Sequence, residues 1–152
     1  MAKFNNHNSR LGCVYEAILR FIQACLRTVS DDSISMVLCD VSATVAVEME
    51  NVEEGVVDRL IQHFPGGGTT YSAGLDSAEK KLIKRARNPT FDVKKPVVIF
   101  VSDGGNNDRG DPLYYVEKMK IHEPRMTLNT IMFGRDPTMH IHVEMAKKGG
   151  GT

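Results

Sequence analysis

Apolar residues in the first third of the chain follow a helical spacing and then a strand spacing. They recur every three or four positions from Leu11 to Val29, which predicts an amphipathic helix of about five turns. Two short apolar runs follow, at 34–39 and 44–49, and their close succession predicts two paired strands joined by a tight hairpin. Asn51 is then expected to cap a second, shorter helix.

The rest of the chain continues this alternation. A Gly-rich loop at 66–70 precedes a helical pattern in which Leu75 faces inward. Five consecutive apolar residues at 97–101 predict a parallel strand buried on both faces. Aspartate–proline pairs at 111–112 and 136–137 predict two more helix starts, with a strand between them. The sequence therefore predicts an α/β fold with a doubly wound, mostly parallel, Rossmann-like sheet flanked by helices.

Length and charge limit the classes of function. A chain of 152 residues has the size of one domain, and 19 basic residues balance 19 acidic ones. This balance argues against binding to nucleic acid or to an anionic membrane surface. Three cysteines in apolar patterns predict reduced core residues, and no secretion signal is evident, so we expect a cytoplasmic protein.

Four stretches of the sequence, taken in order, resemble the von Willebrand factor type A domain. They are RLGCVYEAILRFIQACLRTVSDDSISMVLC, GGGTTYSAGLDSA, PVVIFVSDGGNND and TLNTIMFGRDPTMHIHVEMAKKGGG. The resemblance covers essentially the whole chain, so residues 1–152 are expected to form a single, partial domain of this type. It implies a module that binds protein partners and is not an enzyme.

The resemblance also implies a metal-ion-dependent adhesion site. In the family, a D-x-S-x-S loop, a threonine and an aspartate hold Mg²⁺, a hard cation that prefers oxygen ligands and retains some of its water. The corresponding residues here are Thr69, with Thr70 as the alternative threonine, and Asp103. Thr69 could equally be a helix cap, and Asp103 could be a turn residue before two glycines.

The chain departs from the family pattern at both ends. No D-x-S-x-S loop precedes the first helix, and the last strand and helix expected after Gly149-Gly150 are also missing. We therefore expect an incomplete Mg²⁺ site with weak or no affinity for the metal. A protein partner could still complete the coordination with an acidic side chain. The loss of a central strand also predicts marginal stability and self-association.

An enzymatic alternative depends on the motif from Asp40 to Thr44, which reads D-x-S-x-T after an apolar run. It resembles the first motif of haloacid-dehalogenase-like phosphotransferases, in which Asp40 would attack phosphorus while Asp103 and Asp108 held Mg²⁺. Ser42 stands where this chemistry needs a second carboxylate, and a hydroxyl is a poor proton donor near neutral pH. A metal-independent interaction module is the third alternative.

Two smaller motifs have ordinary structural interpretations. His140 and His142 lie two positions apart, so on a helix they do not face each other, and the pair is expected at the surface or partly packed. The tripeptide Arg109-Gly110-Asp111 matches a sequence that integrins recognise, but Asp111 before a proline is typical of a helix cap.

Overall fold

A computed structural model of the chain describes residues 10–28, 33–51, 53, 55–60, 62, 68–87, 95–102, 105, 106, 108, 110–133 and 139–152. The elements in these ranges confirm the predicted alternation of helices and strands. They are α1 (Arg10–Arg27), β1 (Ser33–Cys39), β2 (Ala43–Asn51), α2 (Gly55–Leu60), α3 (Tyr71–Ala86), β3 (Val97–Ser102), α4 (Pro112–His122), β4 (Thr127–Met132) and α5 (Met139–Gly149). The described helices include none that is both long and apolar enough to cross a membrane.

The chain divides into two compact units. The first contains residues 1–38 and 45–65, and the second contains residues 39–44 and 66–152. In the first unit β1 and β2 form a two-stranded sheet, as the hairpin prediction required. Its core consists of apolar side chains from α1, both strands and α2, namely Tyr15, Ile22, Met36, Val47 and Val56.

The second unit contains two parallel strands connected by a helix. β3 pairs with β4 in parallel register, Val97 opposite Thr127, and α4 connects the two strands. After α5 the chain returns to the sheet, where Gly150 forms a further parallel bridge with Leu128. This strand–helix–strand repetition is the basis of an incomplete Rossmann-like α/β fold, and the predicted fold class is thereby confirmed.

The core of the second unit lies between one face of this sheet and helices α3, α4 and α5. Phe100 and Leu128 contribute from the strands. The helices contribute Tyr71, Leu75, Val116, Met119 and Met145. Gly149 and Gly151 pass so close to Leu128 that a β-carbon at either position would overlap it. The absence of side chains there lets the end of the chain lie against β4.

The other face of the same sheet differs from the prediction. The apolar run at 97–101 was expected to be buried on both faces, but Val97 is 58% exposed and Ile99 is 47% exposed. Ile131 of β4, on the same face, is 46% exposed. Among the described residues β3 pairs with β4 alone. The continuous apolar run at 97–101 therefore predicted the strand correctly but not the exposure of one of its faces.

Two local predictions also need correction. Asn51 does not cap a helix, because β2 extends to this residue and α2 begins only at Gly55. The strand pairing continues through the position where the capping-box spacing suggested a helix start. The three cysteines form no disulfide, as expected, but Cys13 is exposed on α1 and Cys25 and Cys39 are only partly buried, so none is a fully buried core residue.

Candidate functional site

Three loops of the second unit meet beside the start of α3. The backbone N–H of Thr70 donates to the carbonyl oxygen of Asp40 at 2.7 Å, which joins the loop before α3 to the loop at 40–42. Thr69 forms a parallel bridge with Asn106, which joins the same loop to the segment that follows β3. These backbone contacts define the loop face, which is formed by residues 40–42, 68–70, 105, 106, 108 and 110.

The loop at 40–42 is held by a compact turn. One oxygen of the Asp40 carboxylate accepts hydrogen bonds from the backbone N–H of Ser42 at 2.9 Å and from its hydroxyl at 3.3 Å. The Asp40 N–H in turn donates to the Ser42 carbonyl oxygen at 2.9 Å. An aspartate whose side chain accepts a hydrogen bond from the N–H two residues further on is a common feature of turns. The first three residues of the D-x-S-x-T motif thus form the connection between β1 and β2, and Ala43 and Thr44 begin β2.

Asp108 connects the segment after β3 to the first turn of α3. Its carboxylate accepts hydrogen bonds from the backbone N–H of Ser72 at 2.5 Å and from that of Gly110 at 2.8 Å. Thr70 occupies the N-cap position of α3 but makes no capping hydrogen bond with its side chain. The Asp108 carboxylate, which comes from another loop, therefore accepts the hydrogen bond from the helix start that an N-cap side chain normally accepts.

The two residues predicted to bind metal have different outcomes. Thr69 lies on the loop face, where it is partly buried, and it is not the helix cap, because that position belongs to Thr70. Asp103 lies outside the described residues. The bridge between Thr69 and Asn106 brings the loop of the predicted threonine beside Asn106, which follows Ser102, the last residue of β3, by four positions.

The described residues do not by themselves fit a Mg²⁺ site. Within the described ranges, no group of three or more histidine, cysteine or acidic side chains is arranged to hold a metal. Asp40 and Asp108 already accept hydrogen bonds from backbone N–H groups. An octahedral cation needs oxygen ligands directed at one point. Thr69 remains as a candidate hydroxyl ligand on this face.

The smaller motifs have the structural roles that their sequences favoured, with one correction. Asp111 is the N-cap of α4, since its carboxylate accepts a hydrogen bond from the N–H of Leu113 at 2.9 Å. Arg109 lies outside the described residues. His140 is exposed and His142 is buried, so the two do not face each other. The expectation of a surface or partly packed pair was wrong for His142.

A buried polar cluster, which no sequence pattern had indicated, lies beneath the loop face. The Tyr71 hydroxyl shares hydrogen bonds of 2.9 Å with the Ser102 hydroxyl and 2.9 Å with Nε2 of His142. The Tyr71 ring also contacts the Phe100 ring edge to face, with centroids 4.9 Å apart. Tyr71 begins α3 and Ser102 ends β3, so this cluster fixes the elements from which two of the loops emerge. Its members are 31 and 71 residues apart, and no local pattern could connect them.

Solved structures resemble the chain, among them two from Bacteroides species. One is the conserved hypothetical protein BatB from Bacteroides thetaiotaomicron, with a TM-score of 0.68, 14% identity, and coverage of 94% of this chain and 78% of that one. The other is an aerotolerance-related membrane protein from Bacteroides fragilis, with a TM-score of 0.65, 15% identity, and coverage of 90% and 78%. No protein-family model and no curated protein sequence matches the chain. At these identities the likeness shows the fold alone.

Proposed function

We propose that the chain is a non-catalytic protein-interaction module of the von Willebrand factor A type, which contacts its partner through the loop face. The observation that carries this proposal is the meeting of the three loops at the start of α3, through the Thr70–Asp40 hydrogen bond and the Thr69–Asn106 bridge. In open α/β sheets, ligands commonly bind where loops leave the carboxyl ends of the strands. The four sequence motifs and the fold are consistent with this class.

The loop face also offers accessible surface on loops held in place by backbone hydrogen bonds. Val41, at the tip of the loop at 40–42, is 70% exposed. Gly105 and Gly110 are exposed as well, and Gly105 adopts a positive φ of 74° that suits glycine. Binding residues are often located on loops that a rigid scaffold positions. The buried cluster around Tyr71 supplies such a scaffold beneath this face.

Site-specific photo-crosslinking tests the location of partner binding. A photoreactive amino acid replaces Val41 on the loop face, and a control chain carries it at Lys95, which is exposed just before β3 at the opposite edge of the sheet. In native cells we expect a discrete adduct with a partner protein from the Val41 chain and none from the Lys95 chain. Equal adducts from both chains, or an adduct from Lys95 only, would contradict the proposal.

Mg²⁺ binding provides a second prediction. Because the described donors form an incomplete site, titration calorimetry with MgCl₂ should give no saturable heat beyond dilution. An Asp103→Ala chain is the control and should give the same trace. A dissociation constant in the micromolar range for the unaltered chain would show that the metal site is complete, and the expectation of weak or no Mg²⁺ affinity would then be wrong.

A further inference from the structure

The Asp108 carboxylate occupies a position where several hydrogen-bond donors converge. The N–H groups of Ser72 and Gly110 both donate to it. Ser72 is in the first turn of α3, a helix of 16 residues, where N–H groups lack intrahelical acceptors and the helix dipole favours negative charge. The two donors come from different segments of the chain and bind the two oxygens of one carboxylate.

A third donor at this position is unused. The hydroxyl oxygen of Ser72 is buried and has no hydrogen-bond partner, and the residue as a whole is only 8% exposed. Buried hydroxyls normally have a partner, because a polar group that leaves water without gaining a hydrogen bond destabilises the fold. A hydroxyl left in this state next to two N–H donors indicates that the position can accept one more ligand oxygen than Asp108 supplies.

The space beside Gly110 shows where this hydroxyl points. A β-carbon placed on Gly110 would stand 2.4 Å from the Ser72 hydroxyl oxygen and 3.1 Å from one carboxylate oxygen of Asp108. The hydroxyl oxygen and the carboxylate oxygen therefore lie on the same side of Gly110, and they can approach it this closely only because residue 110 has no side chain. Gly110 is exposed and Asp108 is partly exposed, although the Ser72 hydroxyl oxygen itself is not.

We propose that the Ser72 and Gly110 N–H groups and the Ser72 hydroxyl form a carboxylate-binding cradle, which Asp108 fills in the free chain and which accepts an acidic side chain of a protein partner by exchange. The part that concerns a partner depends on the function proposed above. Three donors suit a carboxylate, since one oxygen can accept from the Ser72 N–H and hydroxyl while the other accepts from Gly110. No metal takes part in this interaction.

Acetate binding to an Asp108→Ala chain tests the cradle directly. Amide NMR shifts of Ser72 and Gly110 are followed while sodium acetate is added, with sodium chloride at equal ionic strength as the salt control. We expect a saturable shift of both amides with acetate only, accompanied by a rise in melting temperature. The unaltered chain should show neither effect, because Asp108 already fills the cradle.

An Asp111→Ala chain is the matched control. Asp111 also caps a helix through a backbone N–H, that of Leu113, but no buried serine hydroxyl accompanies that contact. Acetate should stabilise the Asp108→Ala chain and leave the Asp111→Ala chain at its chloride value. Equal rescue of the two chains, or no rescue of either, would overturn the proposal, because acetate would then act as at any helix start or not at all.

Two further chains complete the test. If Asp108→Ala does not fold, Asp108→Asn keeps the side-chain volume, and acetate should still shift the Ser72 amide by displacing the neutral amide group. Ser72→Ala combined with Asp108→Ala should bind acetate several-fold more weakly. An unchanged affinity would show that the hydroxyl is not a donor to the ligand, and the cradle as described would be wrong.

The identity of the occupant is tested with a blocked glutamate-containing tripeptide. It should compete with acetate for the Asp108→Ala chain, and a peptide with glutamine in place of glutamate should not. If acetate binds but the glutamate peptide does not, the cradle exists and the role of a partner's side chain is refuted. Neither measurement uses the cross-linked partner, so failure of the cradle and failure of the loop-face proposal remain distinguishable.

Discussion

At the scale of single residues, Tyr71 connects the core of the second unit to the start of the loop face. Its ring is fully buried among apolar side chains, while its hydroxyl bonds to Ser102 and His142. Tyrosine suits such a position because one end is apolar and the other can satisfy polar neighbours. Removing the hydroxyl alone leaves two polar groups in the core without this partner.

Tyr71→Phe isolates this contribution, since the ring and its contact with Phe100 are kept. We expect the free energy of unfolding to fall by about 1–3 kcal/mol, because buried polar groups lose hydrogen bonds. Urea denaturation followed by circular dichroism measures the change. Tyr114→Phe on the exposed side of α4 is the control and should change stability by less than about 0.5 kcal/mol. Equal effects of the two substitutions would show that the buried hydrogen bonds add nothing.

At the scale of elements, a buried carboxylate joins α3 to α4. Glu79 of α3 is only 3% exposed, and its two oxygens lie 3.0 Å from Nζ of Lys118 and 3.4 Å from Nε2 of His122. The Glu79 carboxylate raises the pKa of Lys118, mainly through their hydrogen bond. A buried acid with two partners on the neighbouring helix fixes the register of the two helices.

Glu79→Gln tests this contact between helices. The substitution keeps the shape but removes the negative charge that pairs with Lys118, so we expect a loss of about 1.5–3 kcal/mol in the free energy of unfolding. Glu117→Gln is the matched control, because Glu117 pairs with Lys148 at the surface and exposed pairs contribute little. The loss at Glu79 should exceed that at Glu117 in thermal denaturation. The opposite order would show that the buried pair is not a significant helix contact.

Sequence alone predicted the elements better than it predicted the site. Periodicity located α1 and β3, and the Asp111-Pro112 pair located the start of α4, because each of these signals is local. The bonds that build the site are not local. Asp108 contacts Ser72 across 36 residues, and the short-range pattern around Asp108 is that of any polar loop. The assignment of Asp103 and Thr69 as metal ligands depends on a resemblance, and only Thr69 lies within the described part of the chain.

At the scale of the whole molecule, the exposed apolar face of the β3–β4 sheet is the most unusual feature. Val97, Ile99 and Ile131 all lie on this face, and the parallel register places Ile131 opposite Val101, the next residue of β3 on the same face after Ile99. Parallel sheets are normally covered on both faces, and contiguous exposed apolar surface favours association. We therefore retain the expectation from the sequence that the isolated chain self-associates.

Sedimentation velocity over a range of concentrations tests this expectation. The unaltered chain should shift to larger species as its concentration rises, and Ile99→Lys should remain monomeric, because a charge on the sheet face opposes its burial. Ile121→Lys is the control, since Ile121 is 75% exposed on α4, and it should associate like the unaltered chain. A monomer at every concentration with a cooperative melting transition above about 60 °C would contradict both self-association and marginal stability.

The distribution of tyrosines gives this chain an optical property that is useful in itself. The sequence contains four tyrosines and no tryptophan, so no indole masks their ultraviolet signal. Tyr15 is buried in the core of the first unit and Tyr71 in that of the second, whereas Tyr114 and Tyr115 lie next to each other on α4. Burial raises the pKa of Tyr15. With Tyr114 and Tyr115 replaced by phenylalanine, each unit would contain one native chromophore, and near-ultraviolet spectra could report on the two cores without any added label.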